Sequence, residues 1–267
     1  MKPAHVFTRL ALLLTSALLL TACAGGTAPD ALPLLRLGAD LSAAPLAEGL
    51  ANAYEGQGRD LRVTLYRGHR QAVLEALSRG EIDAALLLHP PEGDDLFFTP
   101  IAYETLAAIT GPGNPVNAIT ADDLRAMLAG DLIDWAAAGG SAAPVTVVVR
   151  ERGSSTREAA GQLLMEGRPI TSTAQIAADE EHLLTLISGM PGGIAITTAG
   201  LADSRVKVLN LLRDRDATAD DAPLTLRTSV GLATAAEPEG AVRRFLDWVL
   251  GAEGQRVVSR YMQGVRG

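Results

Sequence analysis

The 267-residue chain has few of the features that mark several common protein classes. Cysteine occurs once, at Cys23, so no disulfide can form within the chain, and no His, Cys and Asp residues have metal-ligand spacing. The formal net charge of −8 argues against a nucleic-acid partner, because the phosphate backbone binds basic surfaces. A P-loop is excluded because Gly-Lys-Ser and Gly-Lys-Thr are absent. We therefore expect no metal, no cofactor and no nucleic acid.

One long apolar run is present, and it lies near the amino terminus. Lys2 and Arg9 come before the largely apolar residues 10–20, a stretch that is too short for an ordinary transmembrane helix and is typical of a secretory signal. The next residues, Leu-Thr-Ala-Cys23, resemble a bacterial lipobox, which implies cleavage after residue 22 and lipidation of Cys23. The alternatives are an uncleaved signal anchor and a buried lone cysteine.

We accordingly predict a lipoprotein signal peptide over residues 1–22 and a flexible tether over residues 23–33, rich in Gly, Ala, Pro and Thr. Loss of Lys2 and Arg9 moves the net charge from −8 to −10. The mature protein would be held on a membrane by its acyl chains, and it must be stabilised by a hydrophobic core rather than by disulfides.

From residue 34 the pattern alternates between strands and helices. Apolar runs at residues 34–37, 61–66 and 82–88 are separated by helical patterns, which predicts a βαβαβ unit and a parallel sheet. Ligands of such sheets gather at the carboxyl ends of the strands. The polar residues expected at those ends are Ser42, Arg67, His69, Arg70 and His89.

A strand, a tight turn and a helix start are predicted between residues 145 and 164. The β-branched run 145–149 indicates a buried strand, and Gly153 to Thr156 opens a segment with helical spacing. An anion fits the amino terminus of such a helix, where backbone N–H groups lack partners. The groups that could assist are those of Arg150, Ser154, Ser155, Thr156 and Arg157. The alternative is a plain capping box formed by Ser155 and Glu158.

Five motifs, in the same order along the chain, resemble those of a known family. They are Gly38-Ala39 with Ser42 and Ala44-Pro45, Thr120-Ala-Asp-Asp-Leu124 with Gly130 to Trp135, Arg150 to Thr156, Pro191-Gly-Gly-Ile194, and Ala252-Glu-Gly-Gln255. Together they resemble the phosphate-binding family of type II periplasmic substrate-binding proteins that serve ABC importers.

The resemblance implies an α/β fold of two domains, each a mostly parallel sheet flanked by helices, joined by two crossing segments near residues 99–106 and 207–211. Residues 34–105 with 207–267 would form domain I, and residues 106–206 domain II. It implies a monomer that captures an inorganic oxyanion, phosphate first, in the cleft and delivers it to an ABC permease on the extracytoplasmic face. The implied ligands are Ser42, Arg150, Ser154, Ser155 and Thr156.

Two departures from the family leave the choice of anion open. The second loop contains Arg67, His69 and Arg70 instead of Gly and Ser, and His89 lies after the third strand where the family places a proton-accepting Asp. A more basic cleft without that carboxylate would suit tungstate, molybdate or sulfate. From other classes, a serine hydrolase using Ser154 or Ser155 and a sensor or adhesin without transport remain alternatives, although the turn is not Gly-x-Ser-x-Gly.

Overall fold

The computed structural model describes residues 32–58, 60–93, 95–214 and 223–265. The predicted signal peptide, Cys23 and most of the predicted tether lie outside the described residues. Residues from Leu34 onward belong to one packed unit, to which the following description refers. Within the described ranges, no helix is both long and apolar enough to cross a membrane.

The unit alternates between strands and helices along its whole length. The strands are β1 (Leu34–Asp40), β2 (Arg62–Gly68), β3 (Ala84–Leu87), β4 (Phe97–Thr110), β5 (Ala118–Thr120), β6 (Thr146–Arg150), β7 (Gln175–Ala177), β8 (Gly193–Thr198), β9 (Lys207–Val208), β10 (Asn210–Leu212), β11 (Leu226–Thr234) and β12 (Gln263–Gly264). The α-helices are α1 (Ala44–Glu55), α2 (Arg70–Ser78), α3 (Ala121–Ala129), α4 (Ser155–Leu163), α5 (Glu180–Ser188), α6 (Gly240–Leu250) and α7 (Ala252–Val258), and a 3₁₀ turn covers Trp135–Ala138.

One mixed sheet runs through the described residues in the order β2-β1-β3-β11-β4-β8-β6-β7. Strands β2, β1 and β3 are mutually parallel at one end, as are β8, β6 and β7 at the other. Between them, β11 and β4 are antiparallel to each other and to their outer neighbours, β3 and β8. The carboxyl ends of two separate groups of parallel strands can therefore contribute to one site.

Two large hydrophobic clusters lie along this sheet. The first packs α1, α6 and α7 against the inner residues of β1 and β3, and the second packs α3 and α4 against β6 and β8. Strands β4 and β11 take part in both: Ile101 and Val230 belong to the first cluster, whereas Leu106 and Leu226 belong to the second. These two strands carry the chain from one cluster to the other.

The segment at residues 207–211, where the second crossing is predicted, packs with the second cluster. Leu209 and Leu211 pack in the second cluster, because β10 pairs with β5 and β9 pairs with the end of β4. The chain returns to the first cluster only along β11. A short extended run pairs with the sheet edge that tertiary packing places beside it. The residue pattern of the run does not specify which edge that is.

Strand β1 is longer than its apolar pattern predicts. The apolar run ends at residue 37, but β1 continues to Asp40 and pairs with β2 as far as Gly68. A Cβ on Gly38 would collide with the side chain of Ile82, so this glycine permits close packing inside the strand. The extension makes Asp40 the residue at the carboxyl end of β1.

Candidate functional site

The turn between β6 and α4 forms the amino terminus of a helix, as predicted. Gly153 has a φ of +83°, a backbone conformation that glycine adopts without strain, and Ser154 is the N-cap. The Ser154 hydroxyl accepts from the Arg157 N–H at 3.5 Å, a long hydrogen bond. The capping box on Ser155 is thus not formed. Among the described residues, the backbone N–H groups of Ser155 and Thr156 donate to no protein acceptor.

Arg150 ends β6 directly beneath this turn, and only 3% of its surface is exposed. Its guanidinium donates through Nε and Nη2 to Glu151, at 3.0 and 3.1 Å, and through Nη1 to Glu180 Oε1 at 2.8 Å. Two carboxylates therefore fix the plane of the guanidinium. Arg has five N–H donors, so these hydrogen bonds orient the guanidinium without using all of its donors.

The hydroxyl groups of the turn contact residues from the far end of the sheet. Ser155 donates to Asp40 Oδ2 at 2.6 Å, and the hydroxyls of Ser42 and Thr156 lie 3.4 Å apart. Thr156 also donates to Glu180 Oε1 at 3.0 Å. The structure thus brings Ser42 close to Ser155 and Thr156, although Ser42 is more than 110 positions from both in the chain.

Arg70 lies at the start of α2, is buried, and faces the same cluster. Its Nη1 donates to the carbonyl oxygen of His89 at 2.7 Å and lies 3.4 Å from Ser155 Oγ, and its Nη2 donates to the Pro90 carbonyl at 2.9 Å. Burial lowers the pKa of Arg70, while the charge of Asp40 opposes this effect. Arg70 holds the segment after β3 in place and reaches the edge of the predicted site.

His89 links three elements. Its Nδ1 is 2.6 Å from Thr228 Oγ1 on β11, and its Nε2 is 2.6 Å from Gln162 Oε1 on α4. Since Gln162 Oε1 can only accept, Nε2 donates, and in the neutral ring Nδ1 accepts from Thr228. Burial is the main cause that lowers the pKa of His89, and the neighbouring Arg70 charge acts in the same direction. The neutral form therefore suits this position.

The other three candidates lie at the margin of the cluster. Arg67 forms an exposed ion pair with Glu48, and His69 Nδ1 is 3.0 Å from Glu151 Oε1 with more than half of its side chain exposed. Arg157 Nη1 donates to the carbonyl oxygen of Arg150 at 2.8 Å, so its guanidinium supports the turn. Burial lowers the pKa of Arg157.

Comparison with known sequences places this arrangement in a family. A family model described as the PBP superfamily domain matches residues 24–253, which is most of the chain. The chain belongs to the PBP superfamily. The predicted membership in a family of binding proteins is confirmed at this level.

Solved structures with the PBP fold superpose on the chain over nearly their full length. One, described as a putative phosphate ABC transporter substrate-binding protein with bound phosphate from Clostridium perfringens, has 22% identity and a TM-score of 0.74, with 87% of this chain and 100% of that chain covered. An ABC-type phosphate transport receptor from Vibrio cholerae has 19% identity and a TM-score of 0.71, covering 85% and 98%. PstS from Borrelia burgdorferi has 17% identity and a TM-score of 0.61, covering 88% and 100%. The predicted type II fold is confirmed.

Four residues of this cluster are not among those predicted from the sequence. Asp40 lies beyond the apolar run at residues 34–37, and the rule on strand ends could have found it. Glu180 follows β7, a three-residue strand with one buried position that the periodicity does not reveal. Gln162 and Thr228 lie within a helix and a strand, and nothing in their local sequence marks them.

A cavity of about 740 Å³ opens beside the cluster. Arg70 and Gln71 line it from α2, and Gly153 and Gln162 line it from the turn and from α4. Its walls therefore come from α2 and the segment after β3 on one side and from the β6–α4 turn and α4 on the other. Within the described ranges, no group of three or more His, Cys, Asp or Glu side chains could hold a metal ion.

Proposed function

We propose that this chain is an extracytoplasmic solute-binding lipoprotein that captures an inorganic oxyanion, phosphate first, and delivers it to an ABC import permease. The observation that carries the proposal is the junction of β6 and α4, where the N–H groups of Ser155 and Thr156 have no acceptor among the described residues. The partial positive charge at a helix amino terminus and its free donors favour an anion at that place.

Side chains around the junction supply the other contacts that a tetrahedral oxyanion needs. The hydroxyls of Ser42, Ser154 and Thr156 lie on both sides of the turn, and Arg150 adds a charge-assisted donor beneath it. Glu151 and Glu180 orient the Arg150 guanidinium before a ligand arrives, which reduces the entropy lost on binding. A ligand enters by exchanging hydrogen bonds with these internal carboxylates.

The carboxylate of Glu180 supports phosphate over sulfate, molybdate and tungstate. Its Oε1 accepts from Arg150 and Thr156, whereas its Oε2 accepts, among the described residues, only from Thr197, at 3.0 Å. Each carboxylate oxygen offers two acceptor sites, so one site on Oε2 stays open. Phosphate carries a proton near neutral pH and can donate it there, whereas a fully deprotonated sulfate is repelled. Glu180, at the start of α5, thus takes the place of the proton-accepting Asp that is missing after β3.

The proposed role in transport is supported by the family match and by similar solved structures. The chain belongs to the PBP superfamily, and the Clostridium perfringens and Vibrio cholerae structures are described as phosphate transport proteins. We propose the same role here, for a monomer anchored through lipidated Cys23 and without covalent chemistry. A sensor or adhesin would bind the same anion, but it would not stimulate uptake by a permease.

We also propose the two-domain division, with one change of boundary. Leu209, Leu211 and Leu226 pack with residues 106–206, so domain II would extend to β11, and β4 and β11 would be the crossing strands. Opening and closing about these strands would admit and trap the ligand. The contacts of Ser42 and Asp40 with α4 are those that such a motion would break.

The geometry gives no support to a serine hydrolase. A nucleophilic serine needs a histidine within hydrogen-bond reach to take its proton. Ser154 interacts with the Arg157 N–H, and Ser155 with Asp40 and Arg70. The described histidines contact other groups: His69 contacts Glu151, His89 contacts Thr228 and Gln162, and His182 contacts the Ala178 N–H.

Titration calorimetry on the full chain with phosphate, sulfate, molybdate and tungstate tests the proposal. We expect stoichiometric binding of phosphate, with weaker binding of sulfate. The absence of binding by all four anions would refute oxyanion capture. Turnover of an ester substrate would instead support the hydrolase.

A further inference from the structure

Asp40 is a buried carboxylate with every acceptor position occupied. It is 1% exposed, and its Oδ1 accepts from the N–H groups of Ser42 and Ala43, both at 2.9 Å. Its Oδ2 accepts from the Leu88 N–H at 2.8 Å and from the Ser155 hydroxyl at 2.6 Å. A carboxylate offers about four acceptor sites, so no site is left for a ligand proton.

The four donors to Asp40 form the kind of surrounding that a bound anion requires. Three are backbone N–H groups, from the turn before α1 and from the end of β3, and the fourth is a hydroxyl at the start of α4. Converging N–H groups with one hydroxyl are a general arrangement for binding oxyanions. Here the protein's own carboxylate occupies it.

The hydroxyl is the link to the proposed function, because Ser155 is one of the ligand residues that the family resemblance implies. As long as Ser155 donates to Asp40, it cannot donate to a ligand, since a hydroxyl has one proton to give. An oxyanion at the same turn also lies close to the Asp40 charge, and like charges repel strongly at a buried position.

We propose that Asp40 is an internal competitor of the oxyanion, which holds Ser155 and joins β1 to α4, so that ligand binding requires this hydrogen bond to be exchanged. The inference rests on the proposed function of the β6–α4 junction. Asp40 is then a residue that limits affinity. A residue that accepted the proton of phosphate would instead raise it.

The test is calorimetry with inorganic phosphate on the full chain and on two variants. Asp40→Ala removes the carboxylate and leaves its donors free. Asp40→Asn keeps the size of the side chain and the acceptor for Ser42 and Ala43, and it serves where Asp40→Ala does not fold. We expect phosphate to bind about tenfold or more tightly to the variants, because the Ser155 hydroxyl is then free to donate to it and one nearby negative charge is gone. In a Ser155→Ala background the gain should be much smaller.

Asp83→Ala is the matched control. Asp83 accepts the Arg36 N–H at 2.7 Å and an Arg36 guanidinium bond at 2.5 Å, but its side chain does not contact the proposed anion site. Its removal changes the net charge equally and should leave phosphate affinity unchanged. An equal gain in this variant would show a general charge effect and would contradict the inference.

A second readout uses formate, a small carboxylate. Formate should raise the Tm of Asp40→Ala more than that of the unsubstituted chain, because it can occupy the four freed donors. If the unsubstituted chain binds phosphate and the folded Asp40 variants bind it more weakly, Asp40 assists the ligand and only this inference is wrong. If none of them binds any oxyanion, the proposed function itself is wrong.

Discussion

The two strand-to-helix turns, from β1 to α1 and from β6 to α4, differ in what their backbone N–H groups bond to. In the turn before α1, the N–H groups of Ser42 and Ala43 are bonded to Asp40. At the start of α4, the N–H groups of Ser155 and Thr156 have no acceptor among the described residues. The first turn therefore supplies its own carboxylate, and the second leaves two N–H donors for an anion.

The same contrast holds for the carboxylates themselves. Asp40 accepts four hydrogen bonds, whereas Glu180 accepts three and keeps one acceptor position open. The first turn is accordingly complete without a ligand, and the second is prepared for a ligand that brings both a negative charge and a proton. The predictions below test this difference.

Arg150→Gln should have the largest effect. It removes the buried guanidinium beneath the open turn and leaves Glu151 and Glu180 with an unpaired charge. We expect phosphate affinity to fall by about 100-fold or more and the free energy of unfolding to fall by about 3 kcal/mol, as for a broken buried ion pair. Calorimetry and urea unfolding measure the two. Arg125→Gln is the control, since Arg125 pairs with Asp122 and Glu166 elsewhere and should not alter binding.

Thr156→Val should weaken binding without unfolding the chain. It keeps the shape of the side chain but removes the hydroxyl that lies between Glu180 and Ser42. We expect about a tenfold loss of phosphate affinity and about 1 kcal/mol of lost stability. Thr110→Val removes a similarly buried hydroxyl, which donates to the Gly193 carbonyl at 2.6 Å, and should lower stability alone. Equal phosphate affinity in Thr156→Val and in the unsubstituted chain would show that the Thr156 hydroxyl does not contribute to binding.

Glu180→Gln should change selectivity more than affinity. The amide keeps an acceptor for Arg150 and Thr156 but ends the repulsion of deprotonated anions. We expect the ratio of phosphate to sulfate affinity to fall about fivefold, within the range of one charge-assisted hydrogen bond. Competition calorimetry with both anions provides the ratio. An unchanged ratio would mean that Glu180 does not accept the proton of phosphate.

The smallest effect concerns pH and His89, which follows β3. Burial lowers the pKa of His89, so the folded state holds this ring neutral while the unfolded state protonates it. The stability contributed by His89 is present above the ordinary histidine pKa of about 6.5 and is lost as the pH falls toward the lowered value. Thermal unfolding between pH 7 and 5 should show this loss in the unsubstituted chain and less of it in His89→Gln. An identical pH profile in both would contradict the assignment.

Several elements of the fold could be predicted from the sequence, because local residue patterns determine them. The βαβαβ start, the Thr120 N-cap and the helix after Ser154 all depend on local patterns, and each is present. Five ordered motifs indicated a family of periplasmic binding proteins, and the match to residues 24–253 confirms membership of the PBP superfamily. The binding role of Ser42, Arg150 and Ser154 to Thr156 stays a prediction.

What local pattern could not supply were contacts between distant parts of the chain. Asp40 meets Ser155 across 115 positions, and His89 meets Thr228 across 139. Periodicity carries no information on such pairs, because they depend on the order of strands in the sheet. The crossing predicted at residues 207–211 depends on the same kind of long-range pairing, such as that of β11 with β4.

The most direct measurement of the central claim follows the backbone amides of both turns by ¹⁵N–¹H NMR while phosphate is added to the full chain. The account predicts saturable shifts of the Ser155 and Thr156 amide signals as their N–H groups gain an acceptor. The Ser42 and Ala43 amides, which Asp40 already holds, should move far less. Unmoved Ser155 and Thr156 signals at saturating phosphate would contradict the account.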